Sequence, residues 1–214
     1  MRLILASASP RRAELLRAAG FTFETIVTDV DEQRRPGETP VTYVRRLAGE
    51  KSAAAFAIAN GPAKAGHYNG AGSGPVVSGP VVSGFSRTDE LVVLGADTAV
   101  VVDGDVLGKP RDDAEAAAML RRLSGRAHEV LTGISLRNSA SEAAWVESTV
   151  VSFVRVAEED IAWYVASGEG RDKAGGYAIQ GGASRFVSVI RGSYSNVVGL
   201  PMEALAELLP EIRR

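Results

Sequence analysis

Between Leu91 and Gly104 the chain reads LVVLGADTAVVVDG, a run of leucines and valines broken midway by Asp97. β-branched residues at this density favour extended chain. The small residues and the Asp at its centre favour a turn, so the segment reads as two strands meeting at Ala96–Asp97. An Asp at the end of an apolar strand loses free energy on burial unless a partner compensates it. Strands of this kind need a core to cover them. At 214 residues and 45% apolar composition, the chain can supply one domain, or one domain with two lobes.

The remaining pattern mixes strands and helices. Leu3 to Ser7 reads as a short buried strand, followed by a helix with Ser9 as N-cap, Pro10 at its first position and a stop at Gly20. Phe21 to Val27 alternates as a half-buried strand. Thr39-Pro40 opens a second helix, Val41 to Ala59, with a stripe at Tyr43, Leu47 and Ala54. Beyond the central run, Asp112 or Asp113 caps a helix through Leu123. Strands are expected at His128 to Leu136, Trp145 to Val154 and Phe186 to Ile190, and helices at Glu158 to Ala166 and Pro201 to Leu209. A Gly-rich stretch, SGEGRDKAGGYAIQGGAS, precedes the last strand. Without strict βα alternation, the fold class expected is α/β with a mixed α+β sheet rather than a doubly wound parallel one.

Residues 60–90 stand apart, rich in Gly, Pro and Ser and carrying the imperfect repeat GPVVSGPVVSG. This composition reads as a flexible surface insertion. There is no 18-residue apolar run, so no membrane span is expected. The apolar stretch in MRLILASASPRR is too short for a signal peptide, and the cytoplasm is the expected location. With no Cys, thiolate nucleophiles and Cys-based zinc sites are excluded. A net charge of -2 with interspersed signs is not the footprint of a nucleic-acid binder.

Three groups of residues could carry chemistry. SASPRR places Ser7, Arg11 and Arg12 where a strand runs into a helix N-terminus, a setting that suits an anion. Asp97, in GADT, could bind a divalent metal, act as base toward a water, or simply serve a turn. Lys51, Lys109 and Lys173 each read alone as solvated cations, and Glu32 as a solvated carboxylate. Gln180 lies among glycines that let backbone approach a ligand, where an amide could read a base edge. His67 and His128 lack metal-ligand spacing and read as structural or solvated.

In order, LILASASPRRAELL, DEQRRPGETPVTYVRRLAGEKS, LGADTAVV, GDVLGKPRDDAEAAAMLRRLSGRAHEVLTG, YVASGEGRDKAGGYAIQG and GSYSNVVGLP resemble the Maf family over nearly the whole chain outside 60–90. The resemblance implies one domain over 1–214, with an elongated fold like inosine triphosphate pyrophosphatases and two lobes around a cleft. It implies hydrolysis of a nucleoside triphosphate to the monophosphate and pyrophosphate, with a divalent cation (Mg²⁺ or Mn²⁺) and a homodimer. Its catalytic acid falls on Asp97, and its metal positions on Asp97 and Glu32. Phosphate contacts fall on Ser7, Arg11, Arg12, Lys51 and Lys109, and substrate discrimination on Arg11, Thr98 and Gln180. DKAGGYAIQG resembles the branch acting on dTTP and UTP. The alternatives are a 7-methyl-GTP-type enzyme and a nucleotide-binding regulator of septum formation. The 60–90 insertion departs from the family's shorter link.

Overall fold

The computed structural model describes residues 1–61 and 90–212. The insertion expected at 60–90, with its repeat and His67, lies outside the described residues apart from its first two positions and its last. Among the described residues seven strands form one mixed sheet: β1 (Arg2–Ala6), β2 (Phe23–Thr25), β3 (Leu91–Val102), β4 (Asp105–Leu107), β5 (Ala127–Arg137), β6 (Glu142–Phe153) and β7 (Val187–Arg191). Their order is β2-β1-β3-β5-β6-β7, with β4 paired to β3. β1 runs parallel to β2 and β3, and the remaining pairs are antiparallel. Helices are α1 (Pro10–Ala18), α2 (Pro40–Asn60), α3 (Asp113–Leu123), α4 (Glu158–Ser167), α5 (Tyr194–Val198) and α6 (Met202–Ile212).

The expected turn at Ala96–Asp97 is absent: β3 is a single strand of 12 residues. The interruption lies in its neighbours. β1 pairs with β3 only as far as Ala6 opposite Gly95, and along β3 the pairing with β4 starts only at Val100, opposite Leu107, the last residue of β4. Val100 and Val101 pair with β5 as well as with β4, so β4 occupies the same edge of β3 as β1. Between them, residues 96–99 of β3 face an open gap, which sets Asp97 and Thr98 beside a cleft without bending their own strand.

The pleat sends successive side chains to opposite faces. On β3 the odd face carries Val93, Ala99 and Val101, packed with residues of α2 such as Val44 and Ala55. The even face carries two apolar clusters. One joins Leu94 and Ala96 to Leu16, Leu205 and Leu209, and the other joins Val100 and Val102 to Leu120, Tyr164 and Phe186. The second of these clusters lines part of the cleft, through Val100, Val130, Tyr177, Ile179 and Val198.

α2 lies unusually close to the sheet because two glycines lie beneath it. A Cβ on Gly95 would sit 2.1 Å from the Ala48 carbonyl oxygen, and one on Gly133 2.4 Å from that of Val44. The face α2 buries is Val44, Leu47, Ala48, Lys51, Ser52 and Ala55. Tyr43 and Ala54 of the expected stripe are only half-buried, since close approach selects the small residues of the neighbouring rows.

Other boundaries move by a few residues. Asp112 is the cap of α3, accepting from the Glu115 N–H at 2.8 Å. Ser9 occupies the N-cap of α1 without a side-chain capping bond. The Gly-rich stretch forms two short 3₁₀ turns, Ala174–Gly176 and Gly182–Phe186, and α5 is an additional helix.

Candidate active site

The gap beside β3 opens into a cleft of roughly 540 Å³, and Ser7, Arg11, Arg12, Glu32, Lys51, Asp97, Thr98, Lys109 and Gln180 all line it. They arrive from several separate segments of the chain. β1 ends at Ala6, Ser7 follows, and Pro10 then sets the first turn of α1. The two arginines of that turn diverge. Arg12 is buried, and its guanidinium donates to the Gly199 carbonyl at 2.7 Å, to Ser7 Oγ and the Ala96 carbonyl at 3.0 Å each, and to Thr98 Oγ1 at 2.9 Å. Arg11 is half-buried on the cleft wall, and its Nε has no hydrogen-bond partner among the described residues.

α2 carries Lys51 down to the sheet. Its Nζ lies 2.7 Å from Asp97 Oδ1 and 2.7 Å from Glu32 Oε1. Lys51 and Asp97 are only 9% and 8% exposed, so this pair is shielded from water, whereas Glu32 comes from the open loop before α2. Burial pushes the Asp97 carboxyl above the usual carboxylate range, although Lys51 and Arg12 pull it down. For Glu32, burial pushes upward, but the Lys51 bond and charge, with Lys109 and Arg12 behind them, outweigh it and the net shift is downward. Tyr43, unforeseen as a site residue, lines the same wall and donates its hydroxyl to the Glu32 carbonyl at 2.9 Å.

The opposite wall comes from the loop after β4 and from the Gly-rich stretch. Gly175 donates its N–H to the Gly108 carbonyl at 3.0 Å, bringing the two segments together beside Lys109. Gln180 is exposed at the cleft rim. Lys173, read from sequence as a solvated cation, instead lines the cleft and pairs with Asp172. Tyr177 is buried behind it, with its hydroxyl 2.8 Å from His128 Nε2. His128 is thus structural, and burial depresses its pKa to about 4.

Chemically, the cleft offers cations from Arg11, Lys51, Lys109 and Lys173 to a polyanion, and two carboxylates to a metal or a water. Among the described residues no group of three or more His, Cys, Asp or Glu gathers as a self-sufficient metal site. No helix among them is long and apolar enough to cross a membrane.

Residues 2–212 match the family model described as Maf-like protein. The chain belongs to the Maf family. It is 45% identical over 209 residues to a dTTP/UTP pyrophosphatase of Symbiobacterium thermophilum, covering 98% of this chain and 93% of the relative. The Shewanella oneidensis protein of the same name is 44% identical, with 99% and 98% covered. That of Escherichia coli O157:H7 is 46% identical, with 97% and 91% covered. The family match falls on a mixed α/β fold, as the sequence led us to expect.

Proposed function

We propose that this Maf-family chain hydrolyses nucleoside triphosphates to the monophosphate and pyrophosphate, with preference for dTTP and UTP. The observation that carries the proposal is the meeting of Asp97, Lys51 and Glu32 with Arg11 and Lys109 in one cleft. The names of the full-length relatives support the choice of substrate.

In this reading Asp97 is the base. A water attacks the α-phosphorus, its proton passes to the Asp97 carboxylate, the bond from α-phosphorus to the bridging oxygen breaks, and pyrophosphate leaves with that oxygen. A carboxyl raised by burial is a stronger base than an exposed one, which suits proton abstraction near neutral pH. Ser7, Arg11, Lys51 and Lys109 hold the phosphate oxygens, and Arg12 adds its charge from beneath. Fixed cations aimed at developing negative charge are a large source of rate in phosphoryl chemistry. Arg11 and Gln180 set the choice of nucleotide, while the Thr98 hydroxyl is taken up by Arg12 on the phosphate-binding side.

The donor chemistry fits a divalent cation. Asp97 and Glu32 are two hard-oxygen ligands, and Mg²⁺ is commonly held by one or two carboxylates together with substrate phosphates and water. When bound, Mg²⁺ or Mn²⁺ supplies Lewis-acid withdrawal of charge from phosphate oxygens. The same reading takes residues 1–214 as one domain acting as a homodimer in the cytoplasm. It is tested by pyrophosphate release from a panel of canonical and modified nucleoside triphosphates, with and without Mg²⁺ or Mn²⁺. Metal-dependent release led by dTTP and UTP is expected. Release led by 7-methyl-GTP overturns the substrate assignment, and no release from any triphosphate overturns the enzymatic reading.

A further inference from the structure

Thr98 carries no charge and sits on the opposite face of β3 from Asp97. Its Oγ1 lies 2.9 Å from Arg12 Nη2 and 2.9 Å from Thr132 Oγ1, its cross-strand partner on β5. Thr132 Oγ1 in turn donates to the Asn196 carbonyl at 3.1 Å. A hydroxyl has one hydrogen and two lone pairs, a guanidinium only donates, and a carbonyl only accepts. These facts fix the direction of the row. The Thr132 hydrogen goes to Asn196, so Thr98 donates to Thr132 and accepts from Arg12.

The acceptor end is held firmly. Asn196 is fully buried, and its Nδ2 donates to the Val130 carbonyl and to Thr149 Oγ1, both at 2.9 Å. The other end reaches the cleft. Ser7 Oγ accepts from Arg12 Nη1 at 3.0 Å and from the Ser9 N–H at 3.2 Å, which occupies both lone pairs and leaves its hydrogen to donate. Ser7 lines the cleft, so that hydrogen is available to an anionic oxygen there.

We propose that Thr98, Thr132 and the Asn196 carbonyl form a one-way hydrogen-bond relay that positions Arg12 and thereby presents the Ser7 hydroxyl to a bound triphosphate as a donor. Thr132 and Asn196 are then positioning residues. Thr98, with its hydrogen directed to Thr132, acts on the nucleotide through Arg12 and Ser7 rather than by contact with the base. This rests on the triphosphate chemistry proposed above and goes beyond it in assigning the residues that hold the phosphate-binding groups.

The test compares Thr98→Val, Thr132→Val, their double variant, Thr98→Ser and Thr132→Ser, each checked for wild-type thermal unfolding. Two quantities are read: affinity for inorganic tripolyphosphate, which has no base, and kcat and KM for dTTP, UTP and CTP. Each Val variant is expected to weaken tripolyphosphate about tenfold, in line with loss of one hydrogen bond to a charged group. Each should lower kcat/KM by a common factor for all three nucleotides. The double variant should be no worse than the worse single one, because both break one chain. The Ser variants, which keep the hydroxyl, should return close to wild type. Losses confined to one base, additive losses, or unchanged tripolyphosphate affinity in the Val variants overturn the relay. An inactive wild type that nonetheless shows the tripolyphosphate pattern supports the relay and overturns only the hydrolytic reading. An active wild type without the pattern does the reverse.

Discussion

On the odd face of β3 the polar groups are charged: Asp97 and Lys51 pair in a buried setting with Glu32 at its margin. On the even face, one residue along, Thr98, Thr132 and the Asn196 carbonyl are neutral and lead in a row to a single guanidinium, Arg12, whose bonds to Ser7, Thr98 and the Ala96 and Gly199 carbonyls run to neutral oxygens. In the proposed reaction the charged face changes partners, Lys51 turning from Asp97 and Glu32 to a phosphate while the carboxylates take up a water or a cation. The neutral face has direction but few alternatives, because the hydroxyl hydrogens of Thr98 and Thr132 already have their acceptors. A site that must exchange ligands and still keep its shape can divide those duties between the two faces of one strand.

The sharpest way to break the comparison is Lys51→Met. It removes the lysine paired with Asp97, leaving two carboxylates at the cleft. The expected loss in kcat/KM is about two to three orders of magnitude, the range for a charge-stabilising donor. The acid limb of the rate profile, already above the ordinary carboxylate range, should move further up, because Lys51 lowers the Asp97 pKa. A steady-state pH profile checks both; an unmoved limb contradicts the pairing.

The neutral face also makes a pH prediction. His128 lies on it, and burial holds its folded pKa at about 4, below the ordinary imidazole value of 6.5. Between those values the unfolded chain binds a proton that the folded chain refuses. The His128 contribution is therefore complete above pH 6.5 and is lost as pH falls toward 4, by about 3 kcal/mol. Urea unfolding of wild type and His128→Gln across this window should show a shallower fall in the variant. Parallel curves would remove His128 from the account.

Gly133→Ala is expected to cost about 1–3 kcal/mol, as overpacking does, because the new Cβ meets backbone and not a movable side chain. Lifting α2 should also lower turnover by separating Lys51 from Asp97, so thermal unfolding and kcat should fall together. The smallest effect is expected at the exposed rim. Gln180→Glu should change the ratio of kcat/KM between dTTP and CTP by roughly threefold to tenfold, a difference of about 1 kcal/mol. Tripolyphosphate affinity should change less, and equal losses across all nucleotides would argue that Gln180 reads no base.

How much was legible in the sequence follows from the range of the forces involved. Asp97 stood out because a carboxylate among valines has to be compensated, which is a local fact. That β3 passes straight through it was hidden, since the break belongs to β1 and β4, whose ends are set by long-range pairing. Lys51 read as a solvated helix cation and gained a role only through resemblance. Its burial depends on Gly95 and Gly133 lying under α2, and the glycines themselves were the available signal. Tyr43 was read as part of an apolar stripe, because periodicity does not distinguish a residue facing the core from one at the edge of a cleft. The Thr98–Thr132–Asn196 row had no sequence signature, because its order depends on strand register and on the position of α5.

The most direct test of the central claim is turnover of dTTP with Mg²⁺ by an Asp97→Asn variant that unfolds at the wild-type temperature and binds tripolyphosphate. If Asp97 takes the proton of the attacking water, kcat falls by at least about a hundredfold, as expected for loss of a general base. Turnover within a few-fold of wild type would contradict the account and move the base to another residue of the cleft.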